Sequence, residues 1–275
     1  MQKALPALLI ASALHTPIAF ACTGDSTLFI ARQDASFSQR GDAWTQEFSL
    51  SGDVQTLILR FAAVYQATAI IINASDAQTF LNGGSVTYYD GFNNNFGTNS
   101  INLAAGNYAL AIRNNNNGAN NYSVELDCDK TFAGATRVDT RTKATTVSAN
   151  GGKLWQPLDV SDDYRLWIDG ANYGLETYLI PESELSAFQG SGTFQYYTDF
   201  SSESSGAYPG GYEINLPEGR YYLAFRNQNA NAMPVTYTIE LFERLGDGTD
   251  GGVAIDGSSS YSIANNLLTA EISSL

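Results

Sequence analysis

Ile101-Asn102-Leu103-Ala104-Ala105-Gly106-Asn107-Tyr108-Ala109-Leu110-Ala111-Ile112-Arg113-Asn114 returns as Ile214-Asn215-Leu216-Pro217-Glu218-Gly219-Arg220-Tyr221-Tyr222-Leu223-Ala224-Phe225-Arg226-Asn227. Nine of these 14 positions are identical, at an offset of 113. Each copy reads as a strand, a tight turn at glycine and a second, alternating strand. In the second strand Tyr108, Leu110 and Ile112 share one face, as do Tyr221, Leu223 and Phe225, and that face belongs in a core.

Gly106 and Gly219 stand two residues before Tyr108 and Tyr221. That spacing resembles the tyrosine corner of Greek-key sandwiches, where the hydroxyl bonds back to upstream backbone. The plainer reading is an inward tyrosine after a glycine turn. Both readings make the stretch a folding anchor and not a catalytic signature.

Further matches carry the duplication outward. Trp155 follows Trp44 at offset 111, and Leu166 and Thr177 follow Leu57 and Thr68 at offset 109. Ser183, Phe188, Tyr196, Tyr197 and Phe200 follow Ser75, Phe80, Tyr88, Tyr89 and Phe92 at offset 108. Tyr237, Glu240 and Leu241 follow Tyr122, Glu125 and Leu126 at offset 115. The offset changes only between these segments, where loops diverge. Units of this length suit sandwiches and are too long and too few for a solenoid. The expected fold is all-β, two tandem Greek-key or jelly-roll-like sandwiches from an internal duplication. The expected organisation is a signal peptide at 1–21, one repeat at 22–132, a second at 133–245, and a Gly/Asp-rich linker and tail at 246–275.

Within the first repeat the pattern predicts strands over 28–30, 44–50, 57–61, 69–72, 86–89 and 122–127. It also predicts a helical turn inside 73–82 and a long Asn-rich loop over 91–100. Residues 137–148 open the second repeat as a strand. Ile263, Leu267, Leu268 and Ile272 are spaced as one helical face, with a disordered tail as the alternative.

The Leu-x-x-Gly-x-Tyr turns at Leu103, Gly106, Tyr108 and at Leu216, Gly219, Tyr221, followed by closing strands with Tyr122 to Leu126 and Tyr237 to Leu241, resemble the pre-peptidase C-terminal domain family. Its members are exported bacterial β-sandwich modules, often appended to proteases. The resemblance covers the last third of each repeat and implies the sandwich and export. The calcium ligands of that family lie near its N-terminal linker and have no matching residues here, so no functional residue is carried over.

Lys3, the apolar run 4–14 and the small-x-small site Ala19-Phe20-Ala21 read as an export signal, which places the protein in the periplasm or outside the cell. No other segment is apolar enough to span a membrane. Cleavage after Ala21 leaves Cys22 first. Cys22 then either pairs with Cys128 in a disulfide or carries a lipid anchor, and the two fates compete for one sulfur. The formal charge of -14, with no basic cluster, argues against a nucleic-acid partner.

The one histidine, His15, lies in the signal, so the mature chain has no Ser-His-Asp triad, histidine base or histidine zinc site. No catalytic residue is assigned. Glu125 and Glu240 read as solvated outer-face residues of closing strands. No cofactor is implied. Calcium is the metal that the carboxylates of Asp247 and Asp250 on a Gly-rich stretch suit, with a merely soluble acidic linker as the alternative. The ligand-binding candidates are aromatic: Tyr89, Phe92, Phe96, Tyr197, Phe200, Tyr208 and Tyr212, on the paired-tyrosine strands and the loops beside them. Flat rings beside amides and carboxylates suit carbohydrate, with rings that pack under the loops or between the two sandwiches as the alternative. The reading is an exported, non-catalytic module for a carbohydrate or protein ligand at the cell surface. The alternatives are a self-associating structural protein and a carboxylate-dependent hydrolase.

Overall fold

A computed structural model describes residues 19–22, 29–129, 131, 135–161, 164–190, 192–197, 212–214, 216–243 and 267–270. The first unit contains β1 (Ala19–Phe20), β2 (Phe29–Phe37), β3 (Ala43–Leu50), β4 (Gln55–Asn73), a 3-10 turn (Ala74–Asp76) running into α1 (Ala77–Leu81), β5 (Tyr88–Leu103), β6 (Gly106–Asn114) and β7 (Asn120–Cys128). The expected helical turn is α1. The expected pair of strands at 57–61 and 69–72 is one strand, β4, which bends across the sandwich. Its residues 57–63 pair with β7, and its residues 67–73 pair with β6. A register shift between Ala62 and Ala67 makes the bend.

Strand β5 follows β4 through both halves, from Ile72↔Tyr88 to Gln55↔Leu103. Residues 91–100 are therefore strand and not the loop expected from their asparagines. Two glycines permit the course. Gly91 has φ +148°, and a Cβ there would lie 2.2 Å from the Ala69 carbonyl oxygen. A Cβ on Gly97 would lie 2.2 Å from the Phe92 ring. The result is a sandwich with β2, β7, the first half of β4 and the second half of β5 in one layer. The other layer holds β1, β3, β6 and the remaining halves. Phe48, Leu57, Leu59, Phe61, Leu110 and Val124 fill the space between them.

The second unit contains β8 (Arg137–Val147), β9 (Gly152–Val160), β10 (Tyr164–Asn172), β11 (Glu176–Pro181), a 3-10 turn (Glu182–Glu184), α2 (Leu185–Gln189), β12 (Phe194–Tyr197), β13 (Tyr212–Ile214), β14 (Gly219–Asn227) and β15 (Met233–Glu243). Its layers run β13-β10-β15-β8 and β11-β14-β9. Strands β10 and β11 occupy the places of the two halves of β4, separated at Gly174, whose φ is +74°. The tail adds β16 (Leu267–Ala270), an antiparallel partner of β12 where a helical face was expected. Trp155 does not repeat Trp44. Trp44 sits opposite Ile112, but the residue opposite the matching Phe225 is Leu154. This one-residue slip turns Trp155 to the other face, where it is 39% exposed.

Cys22 and Cys128 form the expected disulfide, with Cα atoms 5.5 Å apart. It joins the chain leaving β1 to the end of β7 and so clasps the two layers. A sulfur in that bridge is not available for a lipid thioether. No helix among the described residues is long and apolar enough to cross a membrane.

The two units meet through β4, β5 and β7 on one side and β10 and β15 on the other. This contact overturns the outer-face reading of Glu125 and Glu240, which are 1% and 3% exposed. Alternation put both on the face opposite the core, but a second sheet covers that face. Arg60 lies buried there. Its Nη1 is 3.1 Å from Glu125 Oε1 and 3.0 Å from Asp127 Oδ1, and its Nε donates to Thr238 Oγ1 at 3.3 Å. Arg137 reaches Glu240 at 3.0 Å and Asp129 at 2.9 Å. Removing one member of such a buried set strands the others. Arg60→Ala is expected to cost roughly 3–5 kcal/mol in urea unfolding. Adding Glu125→Gln and Asp127→Asn should recover part of that loss, and equal stability of Arg60→Ala and the wild type would show that the network contributes nothing.

Candidate recognition surface

The repeated stretch builds a tyrosine corner in each unit. Tyr108 donates its hydroxyl to the Ala104 carbonyl at 2.9 Å, and Tyr221 donates to the Pro217 carbonyl at 2.9 Å. Burial raises the Tyr108 phenol above its ordinary value, with a smaller contribution from Tyr89. The last residue of the stretch has a matching role that composition hid. Asn114 is fully buried, donates to the Gln39 and Gly118 carbonyls and accepts from the Asn116 backbone N–H at 3.0 Å. Asn227 donates to the Val147, Ser148 and Asn231 carbonyls and accepts from the Asn229 N–H at 2.9 Å. Both asparagines lace the loops at one end of their sandwich. The signal was present in the sequence as the identical Arg-Asn that closes both copies, although Asn114 itself, with Asn115 to Asn117 and Asn120-Asn121, reads there as a hydrophilic turn.

At the opposite end the two units diverge. Tyr88 pairs with Ile72 and Asp90 with Ile71, so Tyr89 is an extra residue, a β-bulge. Simple alternation would turn one ring outward. The bulge leaves both exposed, Tyr88 by 59% and Tyr89 by 50%. One edge of Tyr89 is spent on structure, since its ring meets Tyr108 edge-on at 5.2 Å and its hydroxyl donates to Asn73 Oδ1 at 2.8 Å. Asp90 accepts from the Gly91 N–H and from Asn99 Nδ2 at 2.9 Å, which fixes its carboxylate beside the bulge. Farther along β5, Asn93 Oδ1 accepts from Thr68 Oγ1 at 3.2 Å and from Asn115 Nδ2 at 2.9 Å. The surface is thus two open rings beside amide and carboxylate groups held by fixed hydrogen bonds, on a strand of the sandwich.

The corresponding residues of the second unit are covered. Tyr196 is buried, with Tyr178 at 5.1 Å and Phe194 at 6.0 Å. Tyr197 is half-buried and meets Tyr221 edge-on at 5.8 Å, repeating the contact of Tyr89 with Tyr108. Phe92 is half-buried, its ring packed against the core of the first unit beside Gly97. Phe96 is half-buried on β5. Tyr212 opens β13, opposite Ile168. Phe200, Tyr208, Asp247 and Asp250 lie outside the described residues. Among the described residues, no group of three or more histidines, cysteines or carboxylates is placed to hold a metal.

No protein-family model matches the chain, and no curated protein matches it. Several solved structures are weakly similar to it. One is a protein of Sulfolobus turreted icosahedral virus, 13% identical, matched over 77% of this chain and 60% of that one at a TM-score of 0.25. The chain therefore spans less than two-thirds of that viral protein. Another is PNGase F, a glycosylasparaginase from Flavobacterium meningosepticum, 12% identical over 78% of this chain and 96% of that one, with a TM-score of 0.24. A third is the striped bass fucolectin from Morone saxatilis, 11% identical over 77% and 85%, with a TM-score of 0.21. Likenesses of this size bear on neither ligand nor activity.

The corners are open to direct measurement. Tyr108→Phe and Tyr221→Phe each leave a carbonyl without its phenol donor and are expected to cost about 1 kcal/mol. Denaturant midpoints of the two variants should fall together, and an unchanged midpoint for both would remove the hydroxyls from the account of stability.

Proposed function

We propose that the chain is an exported, non-catalytic recognition module and that Tyr88 and Tyr89 form the platform for a carbohydrate. The observation that carries this reading is the exposure of both rings on a bulge beside Asn73 and Asp90, whose side chains are already oriented by hydrogen bonds. A sugar ring offers an apolar C–H face and a rim of hydroxyls. Open aromatic faces beside amide and carboxylate oxygens match both. The groups do not need to reorganise for binding, which limits the entropy lost on association.

Export fits the Cys22–Cys128 bridge, which persists in oxidising compartments. The non-catalytic reading is supported by the state of the strongest carboxylate candidates. Glu125 and Glu240 are buried between the units in ion pairs with Arg60 and Arg137, away from any approaching substrate. Asp90 is engaged by the Gly91 N–H and by Asn99.

A glycan array followed by calorimetry tests the reading. At least one saccharide should bind, and Tyr88→Ala should weaken it by tenfold or more, about 1.4 kcal/mol. Trp155→Ala, an exposed aromatic elsewhere, should leave the affinity unchanged. Silence across the array, or equal affinity in Tyr88→Ala, ends the carbohydrate reading.

A further inference from the structure

The two units treat one sheet edge differently. In the second unit, the four residues of β12 owe their strand pairing, among the described residues, to β16 alone: Phe194↔Ala270, Gln195↔Thr269, Tyr196↔Leu268 and Tyr197↔Leu267. The matching residues of the first unit, at offset 108, are Val86, Thr87, Tyr88 and Tyr89. The pattern is the same, an apolar residue, a polar residue and two tyrosines. In the first unit Tyr88 pairs inward with β4, Val86 and Thr87 belong to no ladder, and no described strand lies on the outer side. One edge is capped by a segment of this chain, and its counterpart is bare.

We propose that the bare edge at Val86 to Tyr89 accepts the Leu267–Ala270 strand of a second copy of this chain. The donor already pairs with the equivalent edge, so no new recognition chemistry is required. Strand addition satisfies backbone donors and acceptors whatever the side chains, and the acceptor pattern fixes the register. The bulge at Tyr89 and the engaged carboxylate of Asp90 stop an added strand from running farther along β5. The acceptor is therefore about as long as the donor. Residues 85–100 contain no Lys, Arg or Pro, so of the common protections of an exposed edge this one carries the bulge at Tyr89, which ends the acceptor without closing Val86 to Tyr88.

Exchange replaces one strand pairing by another, and it adds cover to Tyr88 and Tyr89, which are half or more exposed and lose water only when something covers them. The connection does not restrict the donor to its own chain. Residues 244–266 separate β15 from β16, a length that reaches on the order of 75 Å at full extension.

The test is made on the full chain without saccharide; an added strand and a sugar would compete for Tyr88 and Tyr89, so association is read as mass and the carbohydrate reading as affinity at concentrations where the chain is monomeric. Sedimentation should show mass above the monomer as concentration rises. Thr87→Pro and Thr269→Pro should each hold the protein at monomer mass, with circular dichroism confirming that the sheets remain. Gln195→Pro, on the second-unit edge, should still associate. Mixing a Thr87→Cys variant with a Thr269→Cys variant under mild oxidation should give a disulfide between copies, because the proposed register sets these two positions opposite each other. A wild type that stays monomeric throughout overturns the proposal. So does association that survives Thr87→Pro, or a mixture of the two cysteine variants that yields no crosslink between copies.

Discussion

Arg60 is the side chain on which the arrangement of the two sandwiches depends. A guanidinium cannot shed its charge on burial, so a fold that buries one must bring compensating groups to it. Here those groups come from two directions. Glu125 and Asp127 arrive from the neighbouring strand β7, and Thr238 from β15 of the other unit. Thr238 in turn lies 3.3 Å from Thr142 on β8. The contact is thus specified by hydrogen-bond geometry, which a purely apolar face would leave free to slide. It also explains why β7 is buried on both sides. Tyr122, Val124, Leu126 and Cys128 face the core, while Ser123, Glu125 and Asp127 face the second unit.

The same strand that carries Arg60 sets the shape of the first sandwich. Because β4 crosses from layer to layer without a break, β5 must cross with it, and Asp90 and Asn99 end within hydrogen-bond distance although they are nine residues apart on one strand. Two further contacts pin the outer face. The α1 residues Ala77 and Phe80 cover Ile70, Ile72, Ala109 and Ala111, and the Arg113 guanidinium stacks 4.0 Å from the Phe80 ring while donating to the Phe80 carbonyl. The second unit reaches the same covering by different residues. Lys153 donates to the Gln189 carbonyl at 3.1 Å and sits over Phe188, while Arg226 is engaged by Glu176 and Tyr178. Two sequences that share a corner and a core have solved their helix caps separately.

What could be read from the residues follows from which physics is local. The corner, the disulfide, α1 and β8 depend on spacings within a few residues or on a single pair of cysteines, so the sequence offers each of them, the corner beside a plain inward tyrosine and the disulfide beside a lipid anchor. Tyr89 as an outward ring was legible from alternation, but the bulge that exposes Tyr88 as well depends on a register shift against Ile71 and Ile72 and leaves no local trace. The run 91–100 looks like a loop because asparagine is common in turns, yet a partner strand that bends supplies the pairing that composition does not suggest. Glu125 and Glu240 show the limit of alternation most clearly. Period two distinguishes two faces of a strand, but only the second sandwich decides that the polar face is also buried. Trp155 fails for a related reason, since identity at a fixed offset ignores a slip of one residue in pairing.

Divergence between the units therefore concentrates where packing constrains least. Tyr89 and Tyr197 both close over a corner tyrosine, so each ring has a structural duty. In the second unit the neighbouring Tyr196 is drawn into an aromatic cluster with Tyr178 and Phe194 and is unavailable to solvent. In the first unit the place of Tyr178 belongs to Ala69 or Ile70, residues that offer no ring for Tyr88 to meet. Tyr88 accordingly stays outside. A surface of this kind needs no catalytic residue to arise. It follows from one unit retaining the corner while lacking the aromatic partners that would bury the pair.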